Sequence, residues 1–290
     1  MLTQQLINGV LASGIYALFA VGFTMIFGIM GVLNMAHADF GMVAAVAVIW
    51  AVSAGIAPIE AVLLAAVVML AIALLTERIA LRPGRRYSGD AAIEMPLIAS
   101  IGAGMILQNA AAVIFGNKAI VFPLRLRGFF SVGGYLVSQG LAVGLAVSAV
   151  LLLLLEVLVS YTGFGRQIRA VAQNRNAAEI MGINSERVIL LTFIITALLA
   201  GIAGCLVGMS YGLVAPYMAI PYAIKGLVAM IVGGVDSLPG AVLGALMIGV
   251  AEALTVNLLG SQMRDVGVFL VLMLVLALRP NGLLRIASGK

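Results

Sequence analysis

Long apolar runs separated by short polar segments dominate the pattern of this chain. The runs are residues 6–33, 40–57, 59–76, 96–115, 135–159, 188–213, 217–232, 241–259 and 266–278. A helix that crosses the hydrocarbon core of a bilayer needs about 20 consecutive apolar residues, and most of these runs approach or exceed that length. Backbone groups in lipid must be satisfied internally. The pattern therefore predicts an all-α, polytopic transmembrane helical bundle of about eight to ten spans.

Two of these runs leave the number of crossings open. Run 6–33 is too long for one upright helix and too short for two, which predicts a helix that is tilted or broken at one of its glycines. Run 217–232 is the weakest, and it forms either a full crossing or a re-entrant loop. A full crossing keeps the basic C-terminal tail on the same side as the other arginine-rich segments.

The composition supports a membrane protein and argues against several other classes. Of the 290 residues, 63% are hydrophobic and 9% are charged, whereas soluble domains carry about 25% charged residues. The basic residues sit in short loops rather than on one polar face, unlike those of a nucleic-acid-binding protein. No G-x-x-x-x-G-K-[ST] motif occurs, so the chain is not itself a P-loop ATPase. Residues 208–212 fit the G-x-S-x-G pattern of hydrolases, but they end an apolar helix, and we predict no enzymatic activity.

Arginine and lysine residues gather in three polar segments. These are Arg78, Arg82, Arg85 and Arg86; Arg166, Arg169, Arg175 and Arg187; and Arg279, Arg285 and Lys290. Cytoplasmic loops of membrane proteins carry an excess of such residues, so all three segments are predicted to face the cytosol. Lys118, Arg125 and Arg127 fall in a predicted external loop and depart from this rule.

Residues 161–187 form the largest polar segment inside the chain. Asn176 is a good N-cap residue, and Glu179 stands three residues later, which is the spacing of a capping box. Gly182 then provides a C-terminal stop. The spacing predicts a short helix over about residues 177–181.

Residues 166–173 can form a second short helix, with Arg166 and Arg169 on one face. Two capped helices are more than a connecting loop needs, and they fit a rigid element that docks on another protein. A solvated connector is the alternative interpretation of the same spacing.

Glu252 stands out because it is a carboxylate within an apolar run. Such a group is costly in a bilayer and usually faces the protein interior or a watery cavity. Two interpretations stay open: Glu252 lines a translocation pathway, or it is an internal hydrogen-bond partner of Asn257, Gln108 or Asn109. The two amide residues Gln108 and Asn109 cost less in lipid and more often hold helices together.

His37 and Asp39 lie between the first two apolar runs. One interpretation places them in an interfacial loop, satisfied by water and lipid headgroups. In the other they lie at the cytosolic end of a pathway, or Asp39 caps the helix that starts at Phe40. A single histidine makes a metal site improbable, and none is predicted.

Two stripes of small residues repeat every four positions. They are Gly204, Gly208 and Gly212, and Ala241, Ala245 and Gly249. Small residues let helix backbones approach closely in lipid, so the stripes predict helix–helix seams, with a substrate-facing surface as the alternative.

Distinctive short blocks occur from the first apolar run to the last. They include Ser13-Gly14-Ile15-Tyr16-Ala17-Leu18, Asn34-Met35-Ala36-His37-Ala38-Asp39-Phe40, Leu107-Gln108-Asn109, Gly165-Arg166, Arg169-Ala170, Ala177-Ala178, Met181-Gly182-Ile183-Asn184, Ala251-Glu252-Ala253-Leu254 and Arg279-Pro280-Asn281-Gly282-Leu283. Together they resemble the branched-chain amino acid permease family of ABC importers over nearly the whole chain. Met35 and Ala38 depart from the family's Asn-Phe-Ala-His-Gly signature.

The resemblance implies one transmembrane permease domain, 1–290, in the bacterial inner membrane, with 161–187 as a cytoplasmic coupling segment. In that family the permease pairs with a homologous second permease, two cytosolic ATPases and a periplasmic substrate-binding protein, and no cofactor is implied. The coupling residues expected from it are Gly165, Arg166, Arg169, Ala177, Ala178, Glu179 and Gly182. The candidate pathway or intramembrane polar residues are Asn34, His37, Asp39, Gln108, Asn109 and Glu252.

The resemblance predicts ATP-driven import of branched-chain amino acids or related small amides. One alternative is a secondary transporter or channel that works without ATP. Such proteins usually bury several ion-coupling charges, whereas Glu252 stands nearly alone in mid-span. Another alternative is an ABC permease for a different small solute, such as a sugar or urea.

Overall fold

The computed structural model describes residues 2–87 and 89–284, without the side chain of Arg86. The helices are α1 Leu2–Met30, α2 His37–Ser53, α3 Pro58–Thr76, α4 Ala91–Phe115, α5 Gln139–Tyr161, α6 Gly163–Gln173, α7 Arg175–Ile180, α8 Ser185–Tyr211, α9 Ala219–Gly233, α10 Leu238–Leu259 and α11 Arg264–Leu278. A π-helical turn over Glu77–Leu81 extends α3, and 3-10 turns cover Pro83–Arg86 and Ser261–Met263.

Two small strand pairs interrupt the helical pattern. β1 Ile120–Val121 pairs with β4 Leu213–Val214, and β2 Phe129–Val132 pairs with β3 Tyr135–Ser138, both antiparallel. The apolar run predicted to begin at residue 135 therefore becomes helical only at Gln139. Gly133 and Gly134 have φ angles of 58° and 84°, and such left-handed backbone at both turn positions favours a hairpin.

Most of the described residues lie in apolar helices. Seven are long and apolar enough to cross a membrane: Leu2–Met30, Pro58–Arg85, Ala91–Phe115, Gln139–Tyr161, Ser185–Tyr211, Leu238–Leu259 and Ser261–Leu278. His37–Ser53 and Ala219–Gly233 are apolar but shorter. The predicted transmembrane helical bundle is thus confirmed. α9 is one continuous helix that packs against α10, and with 15 residues it is shorter than the seven candidate spans.

Helix α1 is the centre of the bundle. In its most apolar stretch of 18 residues, 83% of the residues are buried, and α1 packs against α5, α8, α9 and α10. It is continuous through its glycines, so the predicted alternative of a broken helix is wrong. Two of its glycines instead make room for neighbouring groups: a Cβ on Gly9 would overlap the carbonyl of Gly249, and one on Gly22 would overlap the ring of His37.

The stripes of small residues form helix–helix seams, as predicted. A Cβ on Gly204 of α8 would overlap the carbonyl of Gly41 of α2, and one on Gly249 of α10 would overlap that of Gly9. The third glycine of the first stripe has a different role. Gly212 ends α8 in the left-handed conformation, with φ of 76°.

The first two arginine-rich segments meet at one end of the bundle. Arg82 and Arg85, between α3 and α4, lie 3.6 and 2.9 Å from the carboxylate of Glu186 at the start of α8. Arg175 reaches the same carboxylate at 2.7 Å. The two segments predicted to face the cytosol therefore share one end. Arg285 and Lys290 of the third segment, and the Arg86 side chain, lie outside the described residues.

The N-terminus of α1 lies at the opposite end. The Gln4 amide donates to the carbonyl of Leu136 in the β2–β3 hairpin at 2.6 Å. The loop with Lys118, Arg125 and Arg127 is at this end too, because the Leu126 N–H donates to the carbonyl of Met209 near the end of α8. This placement agrees with the prediction that the loop lies on the opposite side of the membrane from the arginine-rich segments.

Candidate functional site

The segment between α5 and α8 folds as two short capped helices, α6 and α7. The Thr162 hydroxyl caps α6 by accepting from the Gly165 N–H at 3.1 Å. The Asn174 side chain caps α7 by accepting from the Ala177 N–H at 3.0 Å. Predicting Asn176 as this cap was wrong, because the cap needs extended backbone, which Asn174 has with φ of −159°. Two capped helices were correctly predicted, but the second begins earlier than expected.

The prediction for Glu179 is wrong, and the prediction for Gly182 is confirmed. The predicted capping box is absent, since Glu179 instead forms an ion pair with Arg175 at 3.1 Å. Gly182 does stop the helix: its φ is 84°, its N–H donates to the Glu179 carbonyl, and the Ile183 N–H donates to that of Ala178. The Asn184 side chain then caps α8 by accepting from the Arg187 N–H at 3.0 Å.

The predicted coupling residues divide into anchors and exposed groups. Gly165 packs against the Val159 carbonyl, to which Arg169 donates a hydrogen bond, and Ala178 is buried. Arg166, Ala177 and Glu179 are exposed. The anchors hold α6 and α7 on the ends of α5 and α8.

Two large apolar side chains lie exposed at the C-terminal end of α7. Ile180 is 86% exposed and Met181 is 81% exposed. Met181 belongs to one of the blocks that resemble the permease family, but neither it nor Ile180 was predicted as a coupling residue. Together, Ile180 and Met181 form an exposed apolar tip at the end of α7, next to charged side chains of the same segment.

A chain of ion pairs, which the sequence did not reveal, joins α7 to the transmembrane helices. The distances are 2.6 Å for Glu77–Arg85, 2.9 Å for Arg85–Glu186, 2.7 Å for Glu186–Arg175 and 3.1 Å for Arg175–Glu179. Burial lowers the pKa of Arg175, but the hydrogen bonds and charges of Glu179 and Glu186 outweigh it and hold that pKa above its ordinary value. These ion pairs hold α7 against the ends of α3 and α8.

His37 is fully buried, so the interfacial-loop interpretation is wrong. Its ring lies 4.8 Å from that of Phe23, and within the described residues neither ring nitrogen has a hydrogen-bond partner. The segment 37–39 already belongs to α2 and packs against α1, which removes it from water and headgroups.

Asp39 joins α2 to α4 rather than capping a helix. Ala36 is the N-cap of α2, so the predicted capping role is wrong, and Asp39 accepts a hydrogen bond from the Gln108 amide at 2.8 Å. Asn34 is buried, and its side-chain oxygen accepts from the Ala36 N–H at 3.2 Å. These polar groups hold α2 in place against its neighbours.

Asn109 stands apart from the other predicted polar residues. It is exposed, and its amide donates to the Met105 carbonyl of its own helix at 2.7 Å. The Gln108 amide donates its hydrogen bond to Asp39, so neither Gln108 nor Asn109 is a partner of Glu252.

Glu252 is the centre of a buried polar cluster that was only partly predicted. Its carboxylate accepts from the Tyr16 hydroxyl at 2.8 Å and pairs with Lys225 at 3.0 Å and Arg264 at 3.1 Å. The predicted partners Asn257, Gln108 and Asn109 are wrong, as is the statement that Glu252 stands nearly alone. Lys225 lies within the apolar helix α9, and a lysine in such a run is itself a signal that was overlooked.

The cluster brings together opposite charges, and nothing in it suggests a metal. Among residues 2–87 and 89–284, no group of three or more His, Cys, Asp or Glu side chains is placed to hold an ion. The arrangement can bind polar or charged groups of a ligand.

Comparisons with known proteins agree with this architecture. Residues 5–278 match the family described as the permease component of the branched-chain amino acid transport system. The chain is 37% identical to the high-affinity branched-chain amino acid transport system permease protein BraD of Pseudomonas aeruginosa, over 97% of this chain and 95% of that protein. It is 35% identical to the corresponding protein LivH of Escherichia coli, over 97% and 94%.

The fold also resembles a solved structure. A chain of PsaBC from Streptococcus pneumoniae, determined in complex with Fab, superimposes with a TM-score of 0.50 over 93% of this chain and 90% of that chain, at 14% identity. That likeness concerns the fold alone. With the family match over most of the sequence, the chain is a multi-pass membrane protein that belongs to the branched-chain amino acid permease family of ABC transport systems.

Proposed function

We propose that this chain is the translocation subunit of an ATP-driven importer of branched-chain amino acids, and that 161–187 is the segment through which a separate ATPase drives it. The observation that carries the coupling proposal is the apolar tip of Ile180 and Met181 on a capped, ion-paired helix. The whole chain then acts as one transmembrane domain. The similarity to BraD and LivH supports this substrate class over a sugar or urea.

The coupling proposal depends on how force passes through α6 and α7. A motor subunit needs a surface to hold, and the exposed tip supplies one whose burial on docking is favourable. It also needs a stiff connection to the spans. Arg169 fixes α6 to the end of α5, and the ion pairs of Arg175 and Arg85 fix α7 to α8 and α3.

The proposed partners are those of a binding-protein-dependent importer. They are a homologous second permease, two cytosolic ATPases and a periplasmic substrate-binding protein. The chain has no P-loop motif of its own, so ATP hydrolysis must come from another subunit. In this scheme Gly165, Ala178 and Gly182 shape the coupling segment, while Arg166, Ala177 and Glu179 are available to the ATPase.

We further propose that the buried polar residues have two kinds of role. Asn34, His37, Asp39 and Gln108 fix α2 against α1 and α4, and they set the relative positions of these helices during transport. Glu252 belongs to the solute pathway, because its cluster combines charge with an adjoining cavity. Asn109 is left outside the pathway by its exposed position on α4.

The test compares Met181→Glu with Met181→Leu in the importer assembled with its ATPase. Because Met181 is exposed, neither change disturbs the core. We expect Met181→Glu to lose co-purification with the ATPase and [14C]leucine uptake, and Met181→Leu to retain both. Full uptake by Met181→Glu would contradict the docking proposal.

The ATP-independent alternative has a separate test. Lys225 and Arg264 increase the number of charges around Glu252, and buried charges are a feature that such transporters share. If transport depends on ATP, vesicles that hold the chain without an ATPase should show no leucine accumulation under a proton or sodium gradient. Accumulation under those conditions would overturn the importer mechanism.

A further inference from the structure

A polar cavity adjoins Glu252 at the end of the bundle that carries the β2–β3 hairpin. Its volume is about 470 Å³, within the range of about 300–1,000 Å³ that is typical of small-molecule sites. Its polar lining comes from α1, α8, α10 and the start of α11, and it includes Gln4, Asn8, Tyr16, Tyr211, Glu252 and Arg264.

This cavity differs in chemistry from the larger groove between α1, α5 and α10. That groove has a volume of about 640 Å³, and its polar lining consists of Ser13 and Glu156. A surface of that kind suits lipid chains or another apolar helix. The smaller cavity instead has charged and amide side chains beside apolar ones, which suits a ligand with one charged end and one apolar end.

The charges around Glu252 favour an anionic group in the cavity. Its single carboxylate is shared by Lys225 and Arg264, so one positive charge remains uncompensated between them. Asp265 is 4.0 Å from Lys225, but its side chain is 67% exposed and its charge is screened by solvent. A bound carboxylate would balance the cluster.

Arg264 is the cation that can reach a ligand. The Lys225 side chain is 6% exposed and is held by both Glu252 and Tyr16. The Arg264 side chain is 46% exposed and uses its Nε on Glu252. In the described part of the chain its two Nη atoms make no hydrogen bond or salt bridge, and together they form the fork that binds a carboxylate.

We propose that this cavity binds a free aliphatic amino acid during translocation, which rests on the proposed importer function. Its α-carboxylate lies on the Nη atoms of Arg264, and its ammonium lies on the side of the cavity away from Lys225, because both oxygens of Glu252 are already engaged by Tyr16, Lys225 and Arg264. Its side chain packs on Leu141, Ala253 and Val256, which line the apolar part of the cavity. The cavity thus recognises the ends that all free amino acids share, and its apolar wall favours an aliphatic side chain.

The experiment measures protection of a cysteine placed in the cavity. Asn8→Cys is introduced together with Cys205→Ala, because Cys205 is the natural cysteine of the chain. In the complete importer, the rate of modification by a charged methanethiosulfonate reagent is measured with leucine, with leucinamide and without either. We expect leucine to slow modification roughly tenfold and leucinamide, which lacks the carboxylate, to have little effect.

Variants at Arg264 then test the carboxylate contact. In Arg264→Gln the protection by leucine should disappear, and Arg264→Lys should restore part of it. Arg127→Gln is the matched control, since Arg127 is exposed at the same end but does not line the cavity, and protection should remain. Retained co-purification with the ATPase shows that each variant is folded.

The outcomes separate this proposal from the importer function. If the importer carries leucine but leucine gives no protection, or if protection persists in Arg264→Gln, the cavity is not the amino acid site. If the complete importer carries no leucine at all, the proposed function itself fails, whatever the labelling result.

Discussion

Arg85 and Glu186 form a salt bridge of 2.9 Å that joins the turn after α3 to the first turn of α8. Arg85 also holds Glu77 at 2.6 Å, and both of these side chains are nearly buried. Glu186 is more exposed and lies where the positive end of the α8 dipole favours a carboxylate. Arg85 is therefore the link through which α7, bound to Glu186 by Arg175, is tied to α3.

Replacing Arg85 should destabilise the protein more than replacing Arg175. Arg85→Gln leaves Glu77 buried without a cation, which costs about 3–5 kcal/mol. Arg175→Gln removes partly exposed pairs, which are worth about 1 kcal/mol or less after screening by solvent. The measurement is the free energy of unfolding in detergent. The double variant Arg85→Gln/Glu77→Gln should recover much of the loss, and failure to recover would contradict a direct Glu77–Arg85 interaction.

The cap of α7 gives a prediction with its control two residues away. Asn174→Ala should destabilise α7 by about 1 kcal/mol, because it removes the acceptor for the Ala177 N–H. Asn176→Ala should be close to neutral, because Asn176 is exposed inside the helix. Hydrogen exchange of the α7 amides measures both effects. Equal protection in the two variants would refute Asn174 as the cap.

Much of the fold was predictable from the sequence because the solvent of this protein is lipid. In lipid, the length of an apolar run almost determines a helix, so the bundle was predictable from the pattern. The two short helices within 161–187 were predictable from the spacing of their capping residues. Gly182 was predictable as well, since helices commonly end on a left-handed glycine. Membership of the permease family was also recognised, from blocks that span the chain.

The errors came from side-chain partners that are distant in sequence. Tyr16 and Glu252 are 236 positions apart, and Lys225 interrupts a run that is otherwise apolar. His37 looked interfacial because it falls between two runs, yet packing against Phe23 buries it. Periodicity reports which face of a helix is apolar, and it says nothing about which buried groups from different helices meet.

The seam between α2 and α8 predicts a sharp difference between two glycines. A Cβ at Gly204 would overlap the backbone of Gly41, whereas one at Gly102 of α4 has no atom within 4 Å. Gly204→Ala should therefore separate the helices and lower the thermal midpoint by several degrees, a loss of about 1–3 kcal/mol. Gly102→Ala should be neutral or raise stability by about 0.5–1 kcal/mol, because alanine favours helix. Thermal unfolding in detergent ranks the two variants, and equal midpoints would contradict the close seam.

The Lys225–Glu252 pair predicts that transport and stability can be separated. Glu252→Gln removes the carboxylate and leaves buried Lys225 with only the exposed Asp265, 4.0 Å away, as a counter-charge. Breaking a buried pair in this way costs about 3–5 kcal/mol. Lys225→Met/Glu252→Leu removes both charges, so the double variant should regain most of that stability, since apolar replacements of buried pairs are often tolerated. It should still fail to take up leucine, because Glu252 no longer holds Arg264 in the wall of the cavity. Unfolding curves and [14C]leucine uptake are measured on the same preparations, and a double variant that transports normally would show that the pair only holds α9 against α10.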